Sequence, residues 1–222
     1  MKGVVFMSED SWVDRAKRLY ESAVFGGNVD ALAAADRELD EVEADLAVAR
    51  GRIAHTRFLF ERQEDPHELT LFERAVELYG RLGDRRGEAE ALFWIGIFHQ
   101  VVHDDSAAAL PYLERSLELA VEIDDKLTQS YAVRHLGFAD LVAGNLAAAR
   151  ERLEESVRLR REIGFTPGVA AGLLALAELA GEEGDTDRAP ALLDEAHAVA
   201  EESGARGVLR WIDQVRAELA TA

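Results

Sequence analysis

Apolar residues along this chain recur at three- and four-residue steps. Leu110, Leu113, Leu117, Ala120 and Ile123 make such a stripe, the mark of a helix with one buried face and not the alternation of a strand. The pattern also returns. Phe93-Trp94-Ile95-Gly96 has a counterpart in Arg134-His135-Leu136-Gly137 and another in Leu174-Ala175-Leu176-Ala177, at an offset of about 40 residues. The segments that follow repeat as well. Tyr112 to Leu119 matches Arg152 to Leu159, with Leu192 to Ala196 at the same spacing, and Leu71 to Leu78 aligns upstream without a gap, which sets His55 opposite Gly96. A more divergent copy runs from Trp12 to Leu46 and turns at Gly26-Gly27-Asn28.

Each copy reads as two helices, and the boundaries carry matching chemistry. Asp65-Pro66-His67-Glu68 reads as an N-cap, a first-turn proline and a capping-box glutamate, and Thr166-Pro167 repeats the cap and proline. Gly144-Asn145, Gly184-Asp185 and Gly204 suit helix exits. Pro111 and Pro190 are expected near helix starts, where a missing amide hydrogen matters least. Val208, Trp211, Ile212, Val215 and Leu219 form one last stripe, expected to be a capping helix that covers the stacking face of the final repeat.

Small residues at Gly96, Gly137 and Ala177, then a short polar turn and an alanine-rich second helix, resemble the tetratricopeptide repeat. Gly144-Asn145-Leu146-Ala147-Ala148-Ala149 and Gly184-Asp185-Thr186-Asp187-Arg188-Ala189 carry that turn-plus-alanine signature. The period exceeds the usual one of about 34 residues and resembles the extended repeats of bacterial regulators. The resemblance implies an all-α fold: a right-handed α-α superhelix of about five helix pairs plus a C-terminal capping helix. On this reading residues 1–9 are a flexible extension, with translation starting at Met1 or Met7. Residues 10–222 are one domain, with repeats near 10–46, 47–84, 85–125, 126–164 and 167–204 and the cap at 206–220.

Composition narrows the partners. Forty-three acidic residues against 25 Lys and Arg give a net charge of -18, which repels phosphate backbones and anionic lipid, so neither nucleic acid nor membrane is expected. The basic runs Arg85-Arg86 and Arg158 to Arg161 read as solvated helix faces. With no cysteine, disulfides and thiolate chemistry are excluded. The stretch Met1 to Met7 is too poor in apolar residues and charge for a signal peptide, and a cytoplasmic location is expected.

The tetratricopeptide resemblance implies that the first helices of successive pairs line a groove. Projected onto this chain, the groove residues are Arg52, Phe60, Glu90, Phe93, Ile97, Tyr131, Arg134, Phe138 and Leu141. Such a face implies a non-catalytic interaction module that takes a protein or peptide with apolar anchors and a carboxylate. A second reading comes from His99-Gln100-Val101-Val102-His103-Asp104-Asp105. Two histidines four apart share a helical face and suit a divalent metal, with His135 or the aspartates completing a small-molecule or catalytic pocket around His99, His103, His135 and Asp140. Against it, Gln100 stands where a zinc protease needs glutamate, and the repeat register sets Asp140 opposite His99 as an ordinary hydrogen-bond partner. No residue is singled out as catalytic, and no cofactor is expected.

Overall fold

The computed structural model describes residues 11–219; the expected extension at 1–9 lies outside them. Among the described residues every regular element is helical: α1 (Trp12–Gly26), α2 (Asp30–Glu61), α3 (Glu68–Leu82), α4 (Arg85–Ile97), α5 (Ser106–Glu122), α6 (Lys126–Val142), α7 (Leu146–Glu162), α8 (Thr166–Glu182), α9 (Arg188–Glu202) and α10 (Arg206–Leu219). A five-residue π-helical segment, Phe98–Val102, continues α4. The chain divides into two compact units between Glu88 and Ala89.

In the first unit α2 packs against both α1 and α3. It is a single rod of 32 residues, unbroken where a repeat boundary was expected at 46–47. Ala44-Asp45-Leu46-Ala47-Val48-Ala49-Arg50 offers no glycine or proline there and is rich in strong helix formers, and its one capping-type residue, Asp45, accepts from the Tyr79 hydroxyl at 2.7 Å instead. The α2–α3 crossing is tight at Gly51, where a Cβ would lie 2.5 Å from two ring carbons of Phe72. The close approach thus sits one turn before His55, the residue aligned with Gly96. His55 instead spends its bulk on a buried bond, Nδ1 to Glu68 Oε1 at 2.9 Å. Glu68 is therefore not the expected capping-box residue, and Asp65 accepts from the His67 amide at 2.9 Å rather than capping α3 from the adjacent position.

In the second unit the helices pack in succession, α5 on α6, α6 on α7, and so to α9 on α10. Two contacts recur at the repeat spacing. A Cβ at Gly96 would meet Leu113 at 2.7 Å, and one at Gly137 would meet Leu153 at 3.2 Å. Buried Ser116 donates to the carbonyl of Ala89, and buried Ser156 to that of Ser130, each at 2.7 Å. Asp104, Gly144 and Gly184 leave the first helices in the left-handed region, and Asp124, Gly164 and Gly204 leave the second. Glycine is the natural residue at such exits, and aspartate is among the few others that tolerate them.

The ladder also explains the π segment. Gly137 to Gly144 and Ala177 to Gly184 are seven steps, whereas Gly96 to Asp104 is eight. The extra residue is absorbed by wider winding, with the His103 amide reaching the Phe98 carbonyl at 3.3 Å. One proline and one cap need correction. Pro111 lies inside α5, which extends back to Ser106 because Asp105 caps it through the Ala108 amide at 2.9 Å. Thr166 is the first residue of α8 and does not cap it, since Phe165 holds the preceding position without a side-chain bond. At the end of the chain Val208, Ile212 and Val215 are buried in the cluster that also holds Leu173, Leu176 and Leu193. Trp211 points outward, 51% exposed.

Candidate functional site

Helix α6 carries the most unusual charge environment. The Arg134 guanidinium lies 4.4 Å over the Phe138 ring, one turn on. Its Nε is enclosed and has no hydrogen-bond partner. From α7, Arg160 reaches 5.1 Å over Tyr131 and 6.0 Å over Phe165, donating from Nη1 to the Gly168 carbonyl at 2.8 Å and from Nε to Ser130 Oγ at 3.4 Å. On α8 a Cβ at Gly168 would run into the Phe165 ring and lie 3.0 Å from Arg160 Cδ, and one at Gly172 would lie 2.5 Å from Val157 Cγ2.

Both guanidinium groups are pushed below the usual arginine range. Burial, and then the charge of Arg160, bring Arg134 down to about 9, against smaller pulls from Glu178 and Tyr131. Burial brings Arg160 down to about 10. At neutral pH both keep their charge, held among aromatic rings with no carboxylate of the described residues in ion-pair contact.

The other expected groove residues divide into three groups. Phe93 and Ile97 are core, 4% and 3% exposed, in a cluster with Leu113 and Leu136, so they are not an open floor. The reason is register: both fall on the stripe of α4 that faces α5 and α6, beside the Gly96 contact. Tyr131 packs half-buried against that cluster, its ring 5.4 Å from Phe93. Phe138 and Leu141 are half-buried against the neighbouring cluster, and Glu90 is half-buried. Arg52 is exposed, and Phe60 is 76% exposed; both lie on α2 in the first unit. The structure therefore brings Tyr131, Arg134 and Phe138 together on α6, with Tyr131 beside Phe93.

The histidine constellation is partitioned among other contacts. The π winding separates the His99 and His103 ring centroids by 6.0 Å, and the rings meet edge to face. His99 stacks on Tyr112 at 5.5 Å, while His103 meets the Phe98 ring at 4.5 Å. His135 Nδ1 donates to Gln100 Oε1 at 2.7 Å, and Gln100 Nε2 returns a bond to the His135 carbonyl at 3.0 Å. Asp140 lies 3.1 Å from Arg152. Among the described residues, no three His, Cys, Asp or Glu side chains are grouped to hold a metal ion.

Arg160 and Gln100 were missed. Arg160 sits in the basic run read as a solvated face, yet it is only 2% exposed. Spacing held the clue: Leu153, Ser156, Val157 and Arg160 follow the buried stripe of α7.

No family model matches the sequence, and no curated protein does. Solved structures with a similar fold exist. One is a Rap protein complexed with competence and sporulation factor, with TM-score 0.61 and 17% identity over 94% of this chain and 64% of that one; the chain thus spans less than two thirds of its length. Another is BtubC (BKLC) from P. vanneervenii, with TM-score 0.51 and 16% identity over 87% of this chain and 90% of that one. At such identities the likeness bears on fold alone: this is a tetratricopeptide-like helical repeat.

Proposed function

We propose that the protein is an interaction module that binds a partner polypeptide through the α6–α8 face of its second unit, with Arg134 receiving a carboxylate. The observation that carries this reading is the Arg134 guanidinium, stacked on Phe138 and enclosed at an Nε that no protein group accepts from. A cation with an unfilled donor in an apolar frame gains from a ligand carboxylate, because the ion pair forms where water competes weakly. Tyr131 and Phe138 offer the ligand aromatic edges, and Arg160 behind them adds positive potential. Exposed Val142, 78% accessible at the end of α6, extends the apolar surface. The helical-repeat likeness supports this reading, the Rap protein being complexed with a factor.

The test is a pair of fluorescent peptides of one apolar sequence, ending either in a free carboxylate or in an amide. Binding by anisotropy should favour the carboxylate form about tenfold, roughly the 1.4 kcal/mol of one charge-assisted contact. Arg134→Gln should erase that preference while leaving the amide form unaffected. Equal affinity of the two peptides for the unaltered protein would remove Arg134 from this role.

A further inference from the structure

A second surface of this unit is marked by a break in the repeat chemistry. Between α7 and α9 the chain ties its own helices together with two ion pairs, Arg188 to Glu154 at 2.8 Å and Arg161 to Glu195 at 2.6 Å. Stepping back 40 residues leads to the gap between α5 and α7. Both acceptors survive there, as Glu114 and Glu155, but both donors are gone: Arg161 becomes Val121 and Arg188 becomes Ala148.

The gap left behind is a cleft of about 730 Å³. Leu117, Val121, Val133 and Leu136 line it, and Val121 is 59% exposed. Glu114, Glu118, Glu122, Glu151 and Glu155 surround these residues, with Arg152 the single cation of the lining. Arg152 is drawn to Asp140, Glu118 to Arg115 and Glu155 to Arg158. Glu114, Glu122 and Glu151 have no ion pair among the described residues. An apolar strip between unpaired carboxylates asks for an occupant with the opposite arrangement. The volume suits a row of apolar side chains, and the two walls are helices of 17 residues each.

We propose that the α5–α7 cleft docks a cationic amphipathic helix of a partner protein, whose lysines or arginines supply the charges that Arg161 and Arg188 supply one repeat later. The apolar stripe of that helix lies along Leu117, Val121 and Val133, and its flanking cations meet Glu114, Glu122 and Glu151. This surface is separate from Arg134 and asks for the opposite charge, so either reading survives the failure of the other.

The probe is a synthetic Leu/Lys amphipathic peptide of roughly 17 residues, about 25 Å when helical, with a Leu/Glu twin as control. Because the chain is acidic overall, the decisive comparison is between variants. Val121→Arg with Ala148→Arg rebuilds the two bridges of the next gap and should weaken Leu/Lys binding at least tenfold while keeping the helical circular dichroism. Should that pair misfold, Glu114→Gln, Glu122→Gln and Glu151→Gln together, all at accessible positions, should give the same loss. Glu73→Gln, Glu182→Gln and Glu202→Gln remove equal charge elsewhere and should change affinity by no more than about twofold. Equal losses in the two glutamine triples, or a Leu/Glu twin that binds as well, would overturn the proposal.

Discussion

The two units handle buried polar groups in opposite ways. In the first, His55 and Glu68 face each other across α2 and α3 at 2.9 Å and are 5% and 0% exposed. In the second, Arg160 is equally buried but leans on a backbone carbonyl and aromatic rings, and Arg134 has an enclosed Nε with nothing to donate to. That pair ties two helices together through Glu68 Oε1, although Glu68 Oε2 is itself buried without a hydrogen-bond partner. A buried cation with an unfilled donor destabilises its own surroundings and can be relieved from outside. The difference separates a structural polar contact from a ligand-ready one by a visible criterion, the identity of the counter-group.

Breaking the matched pair should have the largest effect. His55→Ala leaves the Glu68 carboxylate buried without that partner, so urea denaturation should show a loss of about 3 kcal/mol, recovered largely in the double variant His55→Leu with Glu68→Leu. Next comes the packing beside it. Gly51→Ala drives a Cβ to 2.5 Å from the buried Phe72 ring and should cost about 2 kcal/mol after the gain in helix propensity, whereas Gly137→Ala, with its contact at 3.2 Å, should be near neutral. Ser156→Ala should cost about 1 kcal/mol, because the bond to the Ser130 carbonyl is lost but that carbonyl lies within α6; equal stability would show that the recurring serine is only a space-filler.

The unmatched arginine should behave in the other direction. Arg134→Met, similar in length and uncharged, should leave stability unchanged or raise it by up to about 1 kcal/mol, while carboxylate-peptide binding is lost. Its pH dependence follows from the depressed value near 9. A base held less firmly protonated in the folded state than in the unfolded one gains stability as pH rises above that value, since the unfolded chain then binds more protons. Peptide affinity should be flat from about pH 6 to 8 and decline through about 9 as the charge leaves. A decline centred near 6.5 would point to a histidine instead.

The sequence made the fold legible because every repeat signal was local. Stripe spacing, the glycine exits and the small residue at 96, 137 and 177 all lie within one helix or one turn. What it hid depends on comparing helices. The continuity of α2 through residue 46 followed from the absence of any breaker, which is harder to notice than a glycine. Phe93 and Ile97 looked like groove lining because the projection assumed one geometry for every repeat, but their register against Leu113 and Leu136 takes them inside. Arg160 was hidden by its neighbours: Arg158 and Arg161 in the same run do pair at the surface, with Glu155 and Glu195.

The widened turn at Phe98–Val102 has a bearing on how such arrays change length. A residue added inside a first helix need not be expelled into a connecting loop, because one wider, underwound coil swallows it and the Gly96–Leu113 contact closes as it does one repeat later. The cost falls on backbone bonding, with the His103 amide 3.3 Å from its acceptor. That coil should therefore be where deuterium enters the first helices soonest, a soft joint in an otherwise regular ladder.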